Sequence, residues 1–275
     1  MAKVACIGDI AIDDYVNLNV RFVGGISFNV AWNLSRLGVG AEVFSAVGYD
    51  RGGAEVLTAV AHTGLSTRTI SRFPGVTARQ RIIVSDGGER KFDGYTPGVL
   101  SQLSDHIVVD QLPLERFDAV HVPLSDGMEL LFQSVAHKSS PCKKIADFSV
   151  DATVNGGLET SLTNFCPYFD LVFIGGSSED EILVRRLAQE YPSRIFVLTL
   201  GRLGSRGFKG PEEYFQEAVP VERVADSTGC GDAFQAGFIT HWLSDLLDVK
   251  SALHAGAIYA AKVAGRIGAT ECILN

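Results

Sequence analysis

A three-layer α/β/α sandwich with a mainly parallel central sheet, and a small antiparallel β-flap beside it, is the fold this sequence predicts. Three observations carry the expectation. Short, near-continuous apolar runs alternate with segments of helical period, as strands buried on both faces do when helices serve as the crossovers between them. Two other stretches alternate polar and apolar residues with no helix between them, the pattern of strands exposed on one face. The 275 residues, 46% of them hydrophobic, suffice for one well-buried domain with an insertion and not for two large ones.

The elements follow in order. "KVACIGDI" (residues 3–10) is an apolar run closed by Gly and Asp, a buried strand ending at a loop. "FNVAWNLSRLG" sets Val30, Leu34 and Leu37 at helical spacing and stops at Gly38, a good helix terminator. "AEVFSAVG" is the next strand and "GGAEVLTAVAHTG" the next helix. Further strands are "FDAVHVPL", "KKIADFSV", "FDLVFIGG" and "RIFVLTLG", with helical "GMELLFQSVAHKS" and "EDEILVRRLAQEY" between them. The alternating stretches, "YVNLNVRFVGG" (15–25) and "TRTISRF…TARQRIIVSDGGERKF" (67–92), place the flap strands at approximately 14–24 and 67–95, inserted in one domain over 1–275. "AFQAGFITHWLSDLL" and "SALHAGAIYAAKVAGRIGA" are helical by period. The second is rich in Ala and Gly, which lets a neighbouring helix, or a flat ligand, approach closely.

A formal charge of −8 argues against nucleic acid or an anionic membrane surface as partner, because both are bound through clustered Lys and Arg. A small molecule is the expected partner. The five cysteines, Cys6, Cys142, Cys166, Cys230 and Cys272, are scattered and lack C-x-x-C spacing, so neither a disulfide framework nor a zinc site is expected. That usage fits the reducing cytoplasm. No apolar run approaches a bilayer span, and "MAKVACIGDIAIDD" carries acids where a signal peptide would continue its apolar core.

The chemistry concentrates in "DSTGCGDAF" (226–234). Gly229 and Gly231 strip the loop of side chains, so that the amides of Gly229, Cys230 and Gly231 can converge on an anion at a helix N-terminus. Asp232 would repel that anion. It makes sense there as a base that takes the proton of a hydroxyl attacking a phosphorus held by the amides; its ordinary reading is a helix cap. A second glycine turn, "TLGRLGS" (199–205), follows a strand directly and brings Thr199, Gly201 and Gly204 within reach of nucleotide phosphates, or else simply enters the hairpin "GFKGPEEYF". Neither loop is a Walker A, and no strand runs into G-x-G-x-x-G with an acid some way on.

These residues carry a resemblance. "DSTGCGDAFQAGF" is similar to the second signature of the ribokinase-like (phosphofructokinase-B type) carbohydrate kinases, and the likeness runs along almost the whole chain. "GDIAID" supplies Asp13, which the resemblance implies holds sugar hydroxyls; "GGISFNVAWNLSRLG" puts Gly24, Gly25 and Asn29 in register with the family's Gly-Gly and Asn. "VGYDRGG" resembles its Val-Gly-x-Asp segment and "TLGRLGS" its nucleotide-phosphate turn. The resemblance implies a ribokinase-like sandwich with a flap lid over the sugar, ATP and Mg²⁺, with a monovalent cation as a further candidate. It implies Asp232 as catalytic base, an anion hole from Gly229, Cys230 and Gly231, sugar contacts from Asp13, Gly25, Asn29 and Arg90, and a homodimer as one way the flap can be used. Two departures stand out. "GSSE" keeps Glu179 for the metal, through water, but puts Gly176 where the family commonly has Asn, and Cys230 replaces the usual Ala. At a helix N-terminus a thiol is favoured to ionise, so Cys230 is either the reactive cysteine or a plain Ala substitute.

Within the family, "ERKFDGYTPGVL" (89–100), "GGISFNVA" and "SSEDE" look most like the bacterial fructoselysine 6-kinases. A fructosamine has an amino-acid end whose ammonium Asp14 or Asp93 could meet; the alternative is that both acids are solvated flap residues. The expected activity is phosphorylation of the primary hydroxyl of a ketose or fructosamine. A nucleoside kinase of the same family and a silent sugar- or nucleotide-binding relative are the alternatives; the intact Asp232 between glycines favours an enzyme, and Arg90 with the polar flap favours a sugar over a flat base.

Overall fold

The computed structural model describes residues 2–148 and 157–274. Along the chain run β1 (Lys3–Ile7), β2 (Ala11–Tyr15), β3 (Val20–Gly24), α1 (Ile26–Arg36), β4 (Gly40–Gly48), α2 (Arg51–Ala61), β5 (Ile70–Phe73), β6 (Arg79–Val84) and β7 (Arg90–Thr96). Then come α3 (Leu103–His106), β8 (Ala119–Leu124), α4 (Glu129–His137), β9 (Lys143–Phe148), α5 (Leu158–Phe165), β10 (Leu171–Gly175), α6 (Glu181–Glu190) and β11 (Ile195–Thr199). The last elements are β12 (Ser205–Lys209), β13 (Glu212–Gln216), α7 (Cys230–Trp242), α8 (Val249–Ala264) and β14 (Ile273–Leu274). The expected end of the β9 segment, residues 149 and 150, lies outside the described residues.

Among the described residues, nine strands form the main sheet in the order β13-β12-β11-β10-β9-β8-β1-β4-β5. All neighbours from β11 to β5 are parallel, and the β12–β13 hairpin adds antiparallel strands at one edge. Successive side chains of each strand feed opposite layers. Ala5, Ile7, Val172, Ile174, Phe196 and Leu198 join the core under α4, α5 and α6, whereas Val4, Cys6, Leu171, Phe173, Ile195 and Val197 join the core under α1, α2, α7 and α8. Burial on both faces is why these strands read as unbroken apolar runs rather than alternating ones. No helix among the described residues is long and apolar enough to cross a membrane.

A second sheet, in the order β14-β3-β2-β6-β7, is the flap. Tyr15, Phe22, Ile82 and Val84 are its own small core, and β7 is exposed along its whole length. Two details differ from the sequence expectation. β2 and β6 pair in parallel, because the main-sheet strand β4 and helix α2 lie between β3 and β6 and bring the chain back in the same sense. Residues 70–73, expected in the flap, form β5 at the edge of the main sheet beside β4. Ile70 is buried in one core and half-buried Phe73 packs against the other, with Ser71 and Arg72 exposed between them, so this edge strand does not read as an unbroken apolar run.

Helix caps set where the loops leave the sheet. Asp50, of the "VGYD" segment, accepts from Gly53 N–H at 2.8 Å to cap α2, and holds Thr77 through its hydroxyl at 2.6 Å and its amide at 3.1 Å. The bond ties the start of α2 to the approach to β6, a structural task. The Ala and Gly of α8 also serve packing: a Cβ on Gly237 of α7 would meet the Ala255 carbonyl at 2.7 Å, and one on Gly256 would meet the Phe234 carbonyl at 2.8 Å.

Candidate active site

The glycine loop begins α7. Gly229 is its N-cap with φ 76°, the left-handed region, and a side chain there would start inside Ala269. Both conditions admit glycine only. At Gly231 a Cβ would meet nothing within 4 Å, so the loop is open on that side, and the first amides of a helix have no carbonyl behind them in the helix. Phe234 and Phe238 seat the helix on β10, edge-on to Phe173 at 6.5 and 5.4 Å.

Four carboxylates come to this place from separate elements. Asp9, just after β1, accepts from Ile26 N–H at 2.8 Å and Ser27 N–H at 3.0 Å and so caps α1. Asp13, on β2, is 5% exposed and lies directly against Gly24, whose missing side chain makes room for it. Gly25, with φ 100°, turns the chain from β3 into α1 so closely past Asp9 that a Cβ would stand 2.8 Å from the Asp9 carbonyl. Asn29, in the first turn of α1, donates Nδ2 to Asp232 Oδ2 at 2.7 Å, while its Oδ1 is buried without a partner. Asp147, at the end of β9, completes the set; it was not foreseen from the sequence.

Crowding of like charges away from water raises their proton affinity. Burial first, then Asp232, Asp9 and Asp226, push Asp13 up to about 8, with Arg90 opposing. Burial, then Asp147 and Asp9, push Asp232 up to about 7 against the Asn29 hydrogen bond and Arg90. Asp147 rises to about 6, mainly by burial, and Asp9 rises by burial as well. Cys230 does not behave as its place on the helix suggests. Burial, with Asp226 and Asp232, outweighs Arg90 and Arg266 and pushes the thiol up to about 12, the opposite direction from that expected at a helix N-terminus.

Beneath α7 lies a polar chain. His121 Nε2 meets Gln235 Oε1 at 2.9 Å, and Gln235 also bonds Asp147. The alternation that sends Ala146 and Phe148 to the far layer turns Asp147 toward α7, and Gln235 stands one helical turn from Asp232. The available signals were a lone His in the apolar run "AVHVPL" and a Gln three residues after the expected base. Burial holds His121 neutral, down to about 4.

The flap reaches the loop through several bonds. Tyr15 donates its hydroxyl to Asp226 Oδ2 at 2.6 Å, Ser227 N–H donates to the Gly88 carbonyl at 3.0 Å, and Arg90 Nη1 donates to the Ser227 carbonyl at 3.0 Å while its guanidinium covers Phe92. Asp14 and Asp93 are engaged inside the flap, with Arg79 at 3.2 Å and Arg81 at 3.1 Å. Thus Asp13, Gly25, Asn29, Arg90, Gly229, Cys230, Gly231 and Asp232 gather at one crevice. Thr199, Gly201 and Gly204 form a separate turn from β11 into β12, where Gly201 has φ 57° and Gly204 has φ 97°.

For a divalent cation the described residues hold no cluster of three or more His, Cys, Asp or Glu. Mg²⁺ is commonly held by one or two carboxylates plus substrate phosphates, and that is what these residues suit: Asp147 ends β9, and exposed Glu179 follows the neighbouring strand β10. At Gly176 a Cβ would stand 2.7 Å from Asp180 Oδ2 and 2.9 Å from Leu198. Asp180 caps Ser177 there, accepting from its amide at 2.8 Å and its hydroxyl at 3.1 Å, so a side chain at 176 would have to displace the ends of Asp180 and Leu198.

The crevice can be set beside known proteins. A "Fructoselysine 6-kinase" of Escherichia coli (strain K12) is 30% identical over 266 residues, covering 95% of this chain and 97% of that protein. A "Fructosamine kinase" of Bacillus subtilis (strain 168) is 27% identical over 275 residues, covering 97% and 92%. The crystal structure of a Methanocaldococcus jannaschii nucleoside kinase, described as an archaeal member of the ribokinase family, has the same fold, with a TM-score of 0.78 at 19% identity and 100% and 95% coverage. The family model described as "pfkB family carbohydrate kinase" matches residues 1–275, and the chain belongs to that family of kinases.

Proposed function

We propose that the chain uses ATP to phosphorylate the primary hydroxyl of a ketose or of a fructosamine such as fructoselysine. The observation that carries the proposal is the Asn29–Asp232 bond beside Asp13, at the mouth of a loop cleared of side chains. One oxygen of Asp232 is held and the other is left for substrate. Asp232 Oδ1 takes the sugar hydroxyl's proton as the new O–P bond forms and the bond from the γ-phosphorus to its bridging oxygen breaks, releasing ADP. The amides of Gly229, Cys230 and Gly231 hold the transferred group's oxygens, and Thr199, Gly201 and Gly204 line the nucleotide's phosphates. Bound Mg²⁺ would offset charge between the β- and γ-phosphates; Glu179 and Asp147 are the residues to hold it, through water.

Carboxyl groups dominate the crevice: Asp13, Asp147 and Asp232. A polyhydroxyl ligand with a protonated amine supplies the matching donors. Because Asp14 and Asp93 already pair with arginines, the crevice acids, rather than those flap acids, are the groups to meet the amine. All five cysteines are free, which suits the cytoplasm. A coupled ADP-release screen over ribose, fructose, fructose phosphates, fructoselysine, other fructosamines and nucleosides tests the reading. Strongest turnover on a ketose or fructosamine is expected; strongest turnover on a nucleoside, or none on any sugar, overturns it.

A further inference from the structure

Two large aromatic rings of the flap, Phe92 and Tyr95 of β7, are 45% and 46% exposed, and both belong to the face that looks into the crevice. The register shows this. Asp13, Gln80 and Tyr95 stand opposite one another across β2, β6 and β7, as do Tyr15, Ile82 and Phe92, and directly opposed residues share a face. Regular alternation would turn side chains three positions apart to opposite faces. A bulge prevents it, because between the Gln80 and Ile82 pairings β7 carries one residue more than β6. Gly94 there has φ 131°, and Gln80 Nε2 donates to its carbonyl at 3.0 Å. Bulges re-aim side chains in this way.

Arg90, bonded to the Ser227 carbonyl, marks the end of β7 nearest the glycine loop. From its partner Val84 to Gln80, the partner of Tyr95, the strand runs roughly 13 Å, longer than a hexose. At the far end Tyr95 lies among acids: burial first, then Asp9 and Asp126, raise the proton affinity of its hydroxyl. Asp126 comes two residues after β8, is exposed, and forms no salt bridge among the described residues.

We propose that Phe92, Tyr95 and Asp126 form a subsite for the amino-acid end of a fructosamine, with the aliphatic stem along the two rings and the distal ammonium against Asp126. The proposal rests on the kinase reading above, which puts the sugar itself at Asp13 and Asp232. A methylene stem gains by covering ring surface that otherwise meets water. An ammonium is drawn to a ring face and to an acid of opposite charge. A free ketose leaves the subsite empty, so these residues select the conjugate over the sugar alone.

Kinetics with fructoselysine, fructosyl-pentylamine and fructose separate the parts of the subsite. The first has stem and distal ammonium, the second the stem alone, the third neither, and in the wild type kcat/KM should fall in that order. Tyr95→Ala should lower kcat/KM for fructoselysine about threefold to thirtyfold, the range of a cation–ring contact, mainly through KM, and change fructose little. Asp126→Asn should abolish the preference for fructoselysine over fructosyl-pentylamine. Sedimentation velocity of wild type and Tyr95→Ala shows whether a second copy covers the rings instead. Equal losses on all three substrates in Tyr95→Ala, or a wild type indifferent between fructoselysine and fructose, overturn the subsite and leave the kinase reading standing. So does a Tyr95→Ala variant that changes oligomeric state while keeping the wild-type substrate preference. A wild type that turns over none of the three would remove the kinase reading and the subsite together.

Discussion

Asn29 and Asp232, 203 positions apart, are joined by a 2.7 Å hydrogen bond that ties the first turn of α1 to the first turn of α7. The bond orients the proposed base and lowers its proton affinity against a burial effect that raises it.

The first prediction concerns that base. Asp232→Asn should fold, bind nucleotide and sugar, and lose about 10²- to 10⁴-fold in turnover, the usual share of general-base catalysis. Steady-state kinetics on the best substrate checks it. In the wild type, Asp232 is protonated below about 7, so kcat/KM of the free enzyme should fall on the acid side of neutrality. An acid limb near the ordinary carboxylate range would remove Asp232 from that role.

Asp13 should trade stability for substrate. Its carboxyl holds a proton in the folded state up to about 8 but only to about 4 when unfolded. The folded state therefore binds more protons between these values, and stability falls as pH rises. Depressed His121 acts in the opposite sense below about 6.5 and raised Asp232 in the same sense up to about 7, so the window that isolates Asp13 is pH 7 to 8. There the melting temperature of the ligand-free protein should decline, and Asp13→Asn should flatten the decline and raise the pH 8 value by about 2 °C or more. The same variant should lose roughly tenfold or more in kcat/KM for the sugar, with nucleotide affinity held.

Gly229→Ala meets two obstacles, the left-handed backbone and the Ala269 side chain. The backbone alone costs about 1–2 kcal/mol. Activity should be lost in Gly229→Ala and partly regained in Gly229→Ala with Ala269→Gly, which relieves the collision but not the backbone. Equal activity of the single and double variants would show that the wall at Ala269 does not shape the loop.

For the metal, Glu179→Ala should raise the Mg²⁺ concentration for half-maximal rate while leaving the melting temperature unchanged, since Glu179 is exposed. Gly176→Asn should instead lower the melting temperature modestly, because its side chain displaces Asp180 from the bonds it accepts from Ser177. An unchanged Mg²⁺ titration for Glu179→Ala would end its assignment.

Cys230 should alkylate slowly at pH 7.5, because its thiol is pushed up to about 12. Intact-mass kinetics with iodoacetamide reads this; a rate above that of a small free thiol would contradict the burial argument.

The main sheet was legible because strands covered on both faces announce themselves as apolar runs, and β1, β4, β8, β10 and β11 stand where those runs are. β5 was not, since exposed Ser71 and Arg72 interrupt its apolar residues as polar residues interrupt a flap strand. Asp13, Asn29 and Asp232 could be brought together only through the family's motif order, because contacts across 203 positions leave no local trace. Asp147 looks like any acid at a strand end, and Tyr15 like any flap aromatic. Their partners, Gln235 and Asp226, are visible only after the sheet has folded.

The flap's far edge has a consequence for synthesis. β3 gains its outer neighbour only from β14, and Thr270 reaches the Val23 carbonyl across 247 positions. At about 5–20 residues per second, a nascent chain carries that edge unpaired for roughly 12 to 50 s. Open edges recruit other strands unless charge discourages them, and Arg21 sits on this strand. Chains halted before β14 should therefore display a protease-sensitive flap and associate on the ribosome or soon after release, while the full chain does not.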